Sequence, residues 1–247
     1  MQMYVHLFPA RTHYSLTLLK LLEEELPLED HCFIFGIGRD HPVPFDYPAG
    51  LGNRIFSLKN PRHAARAIGY LRKARWIYIH LLAYDPTLLY WYLHPRLLRR
   101  ATWIVWGSDI YAYQKKEESL RTRCYEWLRQ QIIPRFAEIA AFVKEDYDLV
   151  AALYDTNAPY RPILYPLPVD LSHLEGLERG KANGSPAIMI GNSGDPTNLH
   201  HEMLEMLKTF REQEMTIVCP LAYGGTRDYL ESVINKGKTL FGEKFIA

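Results

Sequence analysis

The sequence is short of most features that would settle a function by themselves. Its three cysteines, Cys32, Cys124 and Cys219, lie far apart with no CxxC pair and no metal-ligand spacing. That excludes a disulfide framework, and the thiols read as reduced core groups of a cytosolic protein. No stretch reaches the roughly 18 to 20 consecutive apolar residues that span a bilayer. His6, Arg11 and His13 break up the N-terminus, so a signal peptide is not expected. No GxGxxG follows the first apolar run, which argues against a Rossmann oxidoreductase. The ten histidines include no HExxH spacing, and the adjacent pair His200-His201 falls in a helical stretch, where neighbours do not share a face. Nothing resembles a paired-carboxylate hydrolase site. No cofactor and no bound metal are expected.

What is abundant is apolar residues and, in one half, basic charge. With 48% hydrophobic residues in 247, the chain can bury one large core or two smaller ones, and it is not a disordered type. Net charge is +1, yet Asn60 to Arg135 holds 14 Lys or Arg against 5 Asp or Glu, which leaves the remainder at −8. All five tryptophans, Trp76, Trp91, Trp103, Trp106 and Trp127, fall in that basic half, with Tyr90 and Tyr92. Basic charge with interfacial aromatics suits an anionic membrane surface or a phosphate-bearing lipid headgroup. Nucleic acid is the weaker reading, since no nucleic-acid motif accompanies the charge; solvated helix faces are the plain alternative. Arg96, Arg99 and Arg100, after the aromatic stretch Tyr90 to Tyr92, are the candidates for such contacts.

Apolar runs alternate with helical periodicity along the chain. Strands are expected at Met3–Phe8, Cys32–Ile37, Arg54–Leu58, Trp76–His80, Thr102–Val105, Ile139–Val143 and Arg161–Tyr165. Between them, helices are expected at Tyr14–Leu26, Pro61–Lys73, about 86–93, around Arg96–Arg100, Glu118–Ile133 and Glu145–Tyr154. This rhythm predicts βαβ units and a parallel sheet. From Pro166 to Pro186, Pro and Gly interrupt the pattern, which reads as a linker. The α/β rhythm then restarts, giving a domain over 1–167, a linker over 168–186 and a second domain over 187–247. That second part supplies two βα units and ends on an incoming strand, EKFIA, so the sequence is expected to be truncated there.

Ala187 to Leu199, AIMIGNSGDPTNL, reads as a buried strand, a glycine turn and a helix opened by Pro196 and Thr197. Such a corner aims backbone N–H groups and a helix N-terminus at one point, which suits a phosphate. Gly191, Asn192, Ser193 and Gly194 are the candidates, through amides and the Ser193 hydroxyl, with Asp195 as the cap. Tyr223, Gly224 and Gly225, past the next strand, could line the same site. An ordinary strand-to-helix turn using Gly and Asn is the alternative. For a general base, Asp109 comes first and His80 second, both just past strand ends; a helix cap and a core histidine are their structural alternatives.

Three segments, WGSDIY at Trp106–Tyr111, GNSGDPTNLH at Gly191–His200 and CPLAYGG at Cys219–Gly225, in this order on two α/β domains, resemble the bacterial 4-alpha-L-fucosyltransferase family. The resemblance covers essentially the whole chain. It implies a GT-B architecture of two Rossmann-like domains, the first receiving a lipid-linked acceptor and the second a nucleotide-sugar. It further implies transfer of a 4-acetamido-4,6-dideoxyhexose from a dTDP-sugar to a polyprenyl-diphosphate-linked saccharide in surface polysaccharide synthesis. The enzyme would then lie peripherally on the cytoplasmic face of the bacterial inner membrane. Trp106, within the matched segment, is grouped with the acceptor or membrane contacts. A truncated, non-catalytic nucleotide-sugar or membrane-surface module is the rival reading.

Overall fold

The computed structural model of the chain describes residues 3–26, 28–38, 40, 51, 54–111, 119–164, 185–222 and 224–247, apart from the side chain of His13. Tyr223 and most of the expected linker, 168–184, therefore lie outside the described residues. The chain divides into two compact units, Met1–Asp170 and Leu171–Ala247.

The first unit is a seven-stranded sheet in which every pairing is parallel. Its strands are β1 (Tyr4–Phe8), β2 (His31–Phe35), β3 (Ile55–Ser57), β4 (Trp76–His80), β5 (Ala101–Ile104), β6 (Glu138–Ala141) and β7 (Tyr160–Pro162). They lie in the order β3-β2-β1-β4-β5-β6-β7. The chain winds outward from β1 through β3, then crosses back to β4, so β1 and β4 flank the switch point where open parallel sheets bind ligands beyond their strand C-termini. The helices are α1 (His13–Glu25), α2 (Pro61–Lys73), α3 (Thr87–Leu93), α4 (Pro95–Leu98), α5 (Leu120–Ile132) and α6 (Lys144–Tyr154). Local chemistry starts several of them. Asn60 Oδ1 accepts from the amides of Arg62 and His63 ahead of α2, and Ser119 Oγ accepts from Thr122 ahead of α5. Each such cap contributes about 1 kcal/mol.

The strands alternate side chains between two unlike faces. One face is aliphatic: Val5, Leu7, Ile34, Ile77, Ile79 and Ile139 pack with Ala67, Leu71, Leu88, Trp91, Leu128 and Ile132 of the helices. The other places Phe8, Phe33 and Phe35 against Leu19 of α1 and carries a row of polar side chains. There His6 Nδ1 lies 3.1 Å from His80 Nε2, and His6 Nε2 lies 3.0 Å from His31 Nδ1. Tyr4 is level with His31 on β2, and His6 with Tyr78 on β4, so the three imidazoles cross the sheet diagonally. Further along the same face Trp76 Nε1 donates to Thr102 Oγ1, which donates to Glu138 Oε1, which shares its carboxylate with Arg161.

The second unit has a parallel sheet ordered β10-β9-β8, from β8 (Ala187–Met189), β9 (Thr216–Val218) and β10 (Phe245–Ile246). Its helices are α7 (His200–Leu207) and α8 (Arg227–Phe241). Ile190, Leu204, Ile217, Cys219, Val233 and Phe245 form its core. Gly237 on α8 lies so near the Phe245 ring that a Cβ there would come within 2.4 Å of it.

The structure corrects four expectations. The strand expected to be buried at Ala187–Ile190 is exposed at Ala187 and Met189, and only Ile190, past its end, enters the core. The segment from Pro196 is not one helix: a 3-10 turn over Pro196–Asn198 ends at Leu199, whose φ of +52° breaks the helical path before α7 starts at His200. Cys124 is exposed, because the first turns of α5 run past the packed core that Leu128 and Ile132 enter. Trp91 and Trp103 are core residues rather than surface aromatics.

The histidine row makes stability depend on pH. Burial, reinforced by repulsion from His80 and His31, holds His6 well below the ordinary imidazole value, and burial alone pushes His80 down to about 3. Burial also lowers His31, partly opposed by Asp30. The unfolded chain therefore binds more protons than the folded one from about pH 6.5 down toward 3, and stability falls as pH drops through that window. Each fully buried histidine contributes a slope of about 1.4 kcal/mol per pH unit at most. Urea unfolding between pH 7 and 4 should show this decline, and His6→Phe should flatten it; an unchanged slope in that variant would locate the effect elsewhere.

Candidate functional site

In the first unit the loops past β4 and β5 are bolted together at the sheet's C-terminal edge. Gly107, at φ +76°, turns the chain after β5, and the amides of Ile110 and Tyr111 return to its carbonyl. This turn brings Asp109 inward. Its Oδ2 accepts from the amide of Leu82 at 3.0 Å and from Trp103 Nε1 at 2.8 Å, while Oδ1 accepts from the amide of Trp106 at 3.0 Å. Arg129 of α5 closes the arrangement from beneath. Its Nη1 donates to the Leu82 carbonyl at 2.6 Å, its Nη2 to the Asp109 carbonyl at 2.8 Å, and its Nε to Tyr154 Oη at 3.1 Å. Both backbone groups of Leu82 are thus taken, one by the aspartate and one by the arginine. Leu81, held between β4 and this clasp, has φ +73°, a conformation costing a branched residue about 1–2 kcal/mol. Tyr84 donates to Glu126, which also faces Arg129, and burial foremost keeps both Tyr84 and Tyr154 protonated, the latter pushed up to about 12.

Asp109 and His80 do sit just past β5 and at the end of β4, as their spacing suggested. Their surroundings are those of fixed structural groups. Asp109 is 3% exposed and its oxygens face protein N–H donors; His80 is 2% exposed and bonded to His6. Arg129 escaped the sequence reading, although a signal existed: a cation between Leu128 and Ile132 on the buried stripe of α5.

The remaining first-unit candidates are divided by the direction of β5. Trp106 follows its C-terminal end, where the indole packs edge-on against Tyr14 of α1 at 5.1 Å between centroids. Arg96, Arg99 and Arg100 precede its first residue, Ala101, and so lie at the opposite edge of the sheet. Arg100 is engaged there, donating to the Arg72 carbonyl at 2.7 Å and closing the C-terminus of α2. Arg96 and Arg99 are exposed and line, with Arg135, an open cationic depression.

In the second unit the glycine loops after β8 and β9 meet backbone to backbone. A Cβ on Gly225 would lie 2.3 Å from the Gly194 carbonyl oxygen, and one on Gly224 would lie 3.0 Å from the Asp195 nitrogen. Gly191, Gly224 and Gly225 all have positive φ. The amides of Gly191, Asn192, Ser193 and Gly194 make no hydrogen bond to any described residue, whereas Asp195 caps the next turn by accepting from the amide and hydroxyl of Thr197. Ser193 differs from the expectation: its hydroxyl is turned in, accepting from the Asp195 amide at 3.4 Å and from Asn198 Nδ2 at 3.1 Å. The loop's donors toward an anion are therefore its main-chain groups. Behind it, His200 is fully buried, with Nδ1 3.0 Å from Tyr229 Oη and Nε2 packed beside Gly191.

Three substitutions separate these roles. Asp109→Asn places an amide N–H where one protein donor now finds an acceptor, so it should lower stability by about 1–3 kcal/mol along with activity. A variant with parental thermal stability and lost turnover would instead identify Asp109 as a proton acceptor. Gly225→Ala meets both positive φ and the Gly194 carbonyl and should cost about 2 kcal/mol or more. Gly107→Ala, which has only φ strain to bear because its Cβ would meet just the Tyr111 ring at 4.0 Å, an ordinary contact, should cost about 1 kcal/mol. Denaturant melts of the pair check the order.

Comparison with known proteins agrees with the two-unit α/β layout. HepE of Anabaena, solved in complex with UDP, is 14% identical over 100% of this chain and 68% of its own, with a TM-score of 0.59. HepE in complex with UDP-glucose gives 13%, 99%, 68% and 0.58. At such identity the likeness is one of fold, α/β of the GT-B type with Rossmann-like units. Residues 9–247 match the family described as 4-alpha-L-fucosyltransferase, glycosyl transferase group 56. With nearly the whole chain inside that match, the protein is a glycosyltransferase and belongs to the 4-alpha-L-fucosyltransferase family.

Proposed function

We propose that the enzyme moves a 4-acetamido-4,6-dideoxyhexose of the N-acetylfucosamine type from dTDP to a polyprenyl-diphosphate-linked saccharide, as in enterobacterial common antigen synthesis. The second domain, 187–247, would hold the donor and the first, 1–167, the acceptor. The observation that carries the donor side is that the amides of Gly191 to Gly194, in the turn past a parallel strand, have no hydrogen-bond partner among the described residues. In the reaction the bond between the anomeric carbon and the β-phosphate oxygen breaks, dTDP leaves with the electron pair, and the acceptor hydroxyl forms the new bond and gives its proton to the departing diphosphate or to solvent. Amides fixed at the diphosphate offset the charge that grows on it, with no reorganisation during the step. A neighbour of the same fold, solved in complex with UDP-glucose, supports a nucleotide-sugar as the donor. Asp109 and His80 enter this reading as residues that hold the acceptor-side loops in place.

The acceptor's lipid would keep the enzyme on the cytoplasmic face of the inner membrane, as a peripheral protein. Among the described residues no helix is long and apolar enough to cross a membrane. Leu89 and Leu93, one turn apart on α3, are exposed, and Arg96 and Arg99 follow them. Apolar side chains beside arginines suit an anionic bilayer, at about 1 kcal/mol per cation near the surface.

Incubation with dTDP-N-acetylfucosamine and an undecaprenyl-diphosphate disaccharide should give transfer and release dTDP, with UDP-glucose a poor donor. Gly225→Ala should abolish dTDP binding in calorimetry. Equal use of UDP-glucose would refute the donor assignment. Arg96→Glu with Arg99→Glu should release the protein from vesicles containing phosphatidylglycerol, as high salt should; undiminished flotation would remove the membrane role of these arginines.

A further inference from the structure

Among the described residues of the second unit, His200 Nε2 is the buried side-chain polar atom that finds no partner. His200 opens α7 and is fully buried, with its other ring nitrogen, Nδ1, 3.0 Å from Tyr229 Oη. A buried donor or acceptor left alone has given up its bonds to water for nothing. Such atoms are rare in native folds, and each calls for a group that completes it.

Its position says which group. A Cβ on Gly191 would lie 2.8 Å from Nε2 and 3.0 Å from the Cβ of Asn198, so only a glycine leaves this nitrogen uncovered by a side chain. Gly191 is also the first of the four residues whose amides have no described partner. Asn198 ties the far end of the turn, donating from Nδ2 to the carbonyls of Ser193 at 3.2 Å and Asp195 at 3.3 Å. No described hydrogen bond holds Gly191 or Asn192, so the near end can settle on an anion that meets Nε2. The proton follows from Tyr229. Burial foremost raises that phenol, which therefore stays protonated, and its described acceptor is Nδ1. A neutral imidazole that accepts at Nδ1 carries its own proton at Nε2. That makes Nε2 a donor, and its complement is an anionic oxygen.

We propose that His200 Nε2–H donates a hydrogen bond to an oxygen of the donor's diphosphate, beside the amides of Gly191 to Gly194. The proposal deepens the donor reading above and rests on it. It adds one side chain to a site whose other donors are main-chain groups. No proton changes hands in this contact: the imidazole stays neutral, and Tyr229, acting through it, is the positioning residue that holds the tautomer.

Asparagine places its amide where Nδ1 stands and ends there, whereas glutamine reaches the position of Nε2, so the two substitutions separate the two nitrogens. In calorimetry on the whole chain, His200→Asn should weaken dTDP and inorganic pyrophosphate about tenfold or more, the worth of a hydrogen bond to a charged group. His200→Gln should recover most of that affinity, and both variants should keep the parental circular dichroism. Two-bond proton–nitrogen spectra of histidine-labelled protein should show His200 protonated at Nε2, with the Nε2 resonance moving as pyrophosphate saturates the site. Parental pyrophosphate affinity in His200→Asn, equal losses in the Asn and Gln variants, or an Nε2 resonance indifferent to pyrophosphate would overturn the proposal. If the parental protein binds neither dTDP nor pyrophosphate, the donor reading falls and this one with it; binding by the parent with His200→Asn unaffected rejects the histidine alone.

Discussion

The clasp of Asp109 and Arg129 on Leu82 is the constraint on which the first unit's working edge depends. Burying an isolated carboxylate or guanidinium costs several kcal/mol even after relaxation. Here each ion is met by the groups it needs: three N–H donors for the aspartate, two carbonyls and a phenol oxygen for the arginine, with the rings of Tyr84, Trp103 and Tyr154 around the guanidinium. A buried ionic arrangement of this kind contributes little net stability over a well-packed apolar one. What it does contribute is position. Loops at the ends of two neighbouring strands, otherwise free to move separately, are held at fixed spacing through the main chain of one leucine, and the positive φ of Leu81 is held with them.

The same division of labour runs through the sheet. Its aliphatic face supplies most of the burial and therefore most of the driving force. The opposite face holds polar side chains that bond to one another: imidazole with imidazole, and indole through hydroxyl to carboxylate. Each of the histidines in the row can give one hydrogen bond and accept one only while neutral, since two facing imidazolium ions would present donor to donor. The network therefore selects one protonation state, and burial selects the same one. Register follows, because a strand shifted by one residue would turn these groups into the aliphatic face.

Much of this architecture was legible in the sequence because parallel strands read as continuous apolar runs and because Pro, Asn and Ser punctuate the helices. MYVHLF, CFIFGI and WIYIH could hardly be anything but buried strands, and Pro61 marked α2 to the residue. Conformations set by tertiary contacts were not legible. Leu199 adopts φ +52° although nothing in its side chain asks for it, and the Ser193 hydroxyl turns inward because Asn198 meets it there. Composition misled about the aromatics: Trp91 and Trp103 lie in the basic half of the sequence yet in the core of the fold. Proximity in sequence misled as well, since Arg99 and Trp106 are close neighbours along the chain but one strand, running between them, puts them at opposite edges of the sheet.

That separation has a constructive side. Helix α3 starts at Thr87, in the turn past the C-terminal end of β4, and ends next to the Arg96 and Arg99 depression, so it runs from one edge of the sheet to the other. Its outer side shows Leu89 and Leu93, while α2 alongside brings four cations and no acid. A bilayer met along this flank would touch apolar residues in the middle, arginines at one end and the open edge of the sheet at the other. On the proposed function the arginines would anchor, and the amide loop of the second unit would meet the one task that requires strong charge stabilisation.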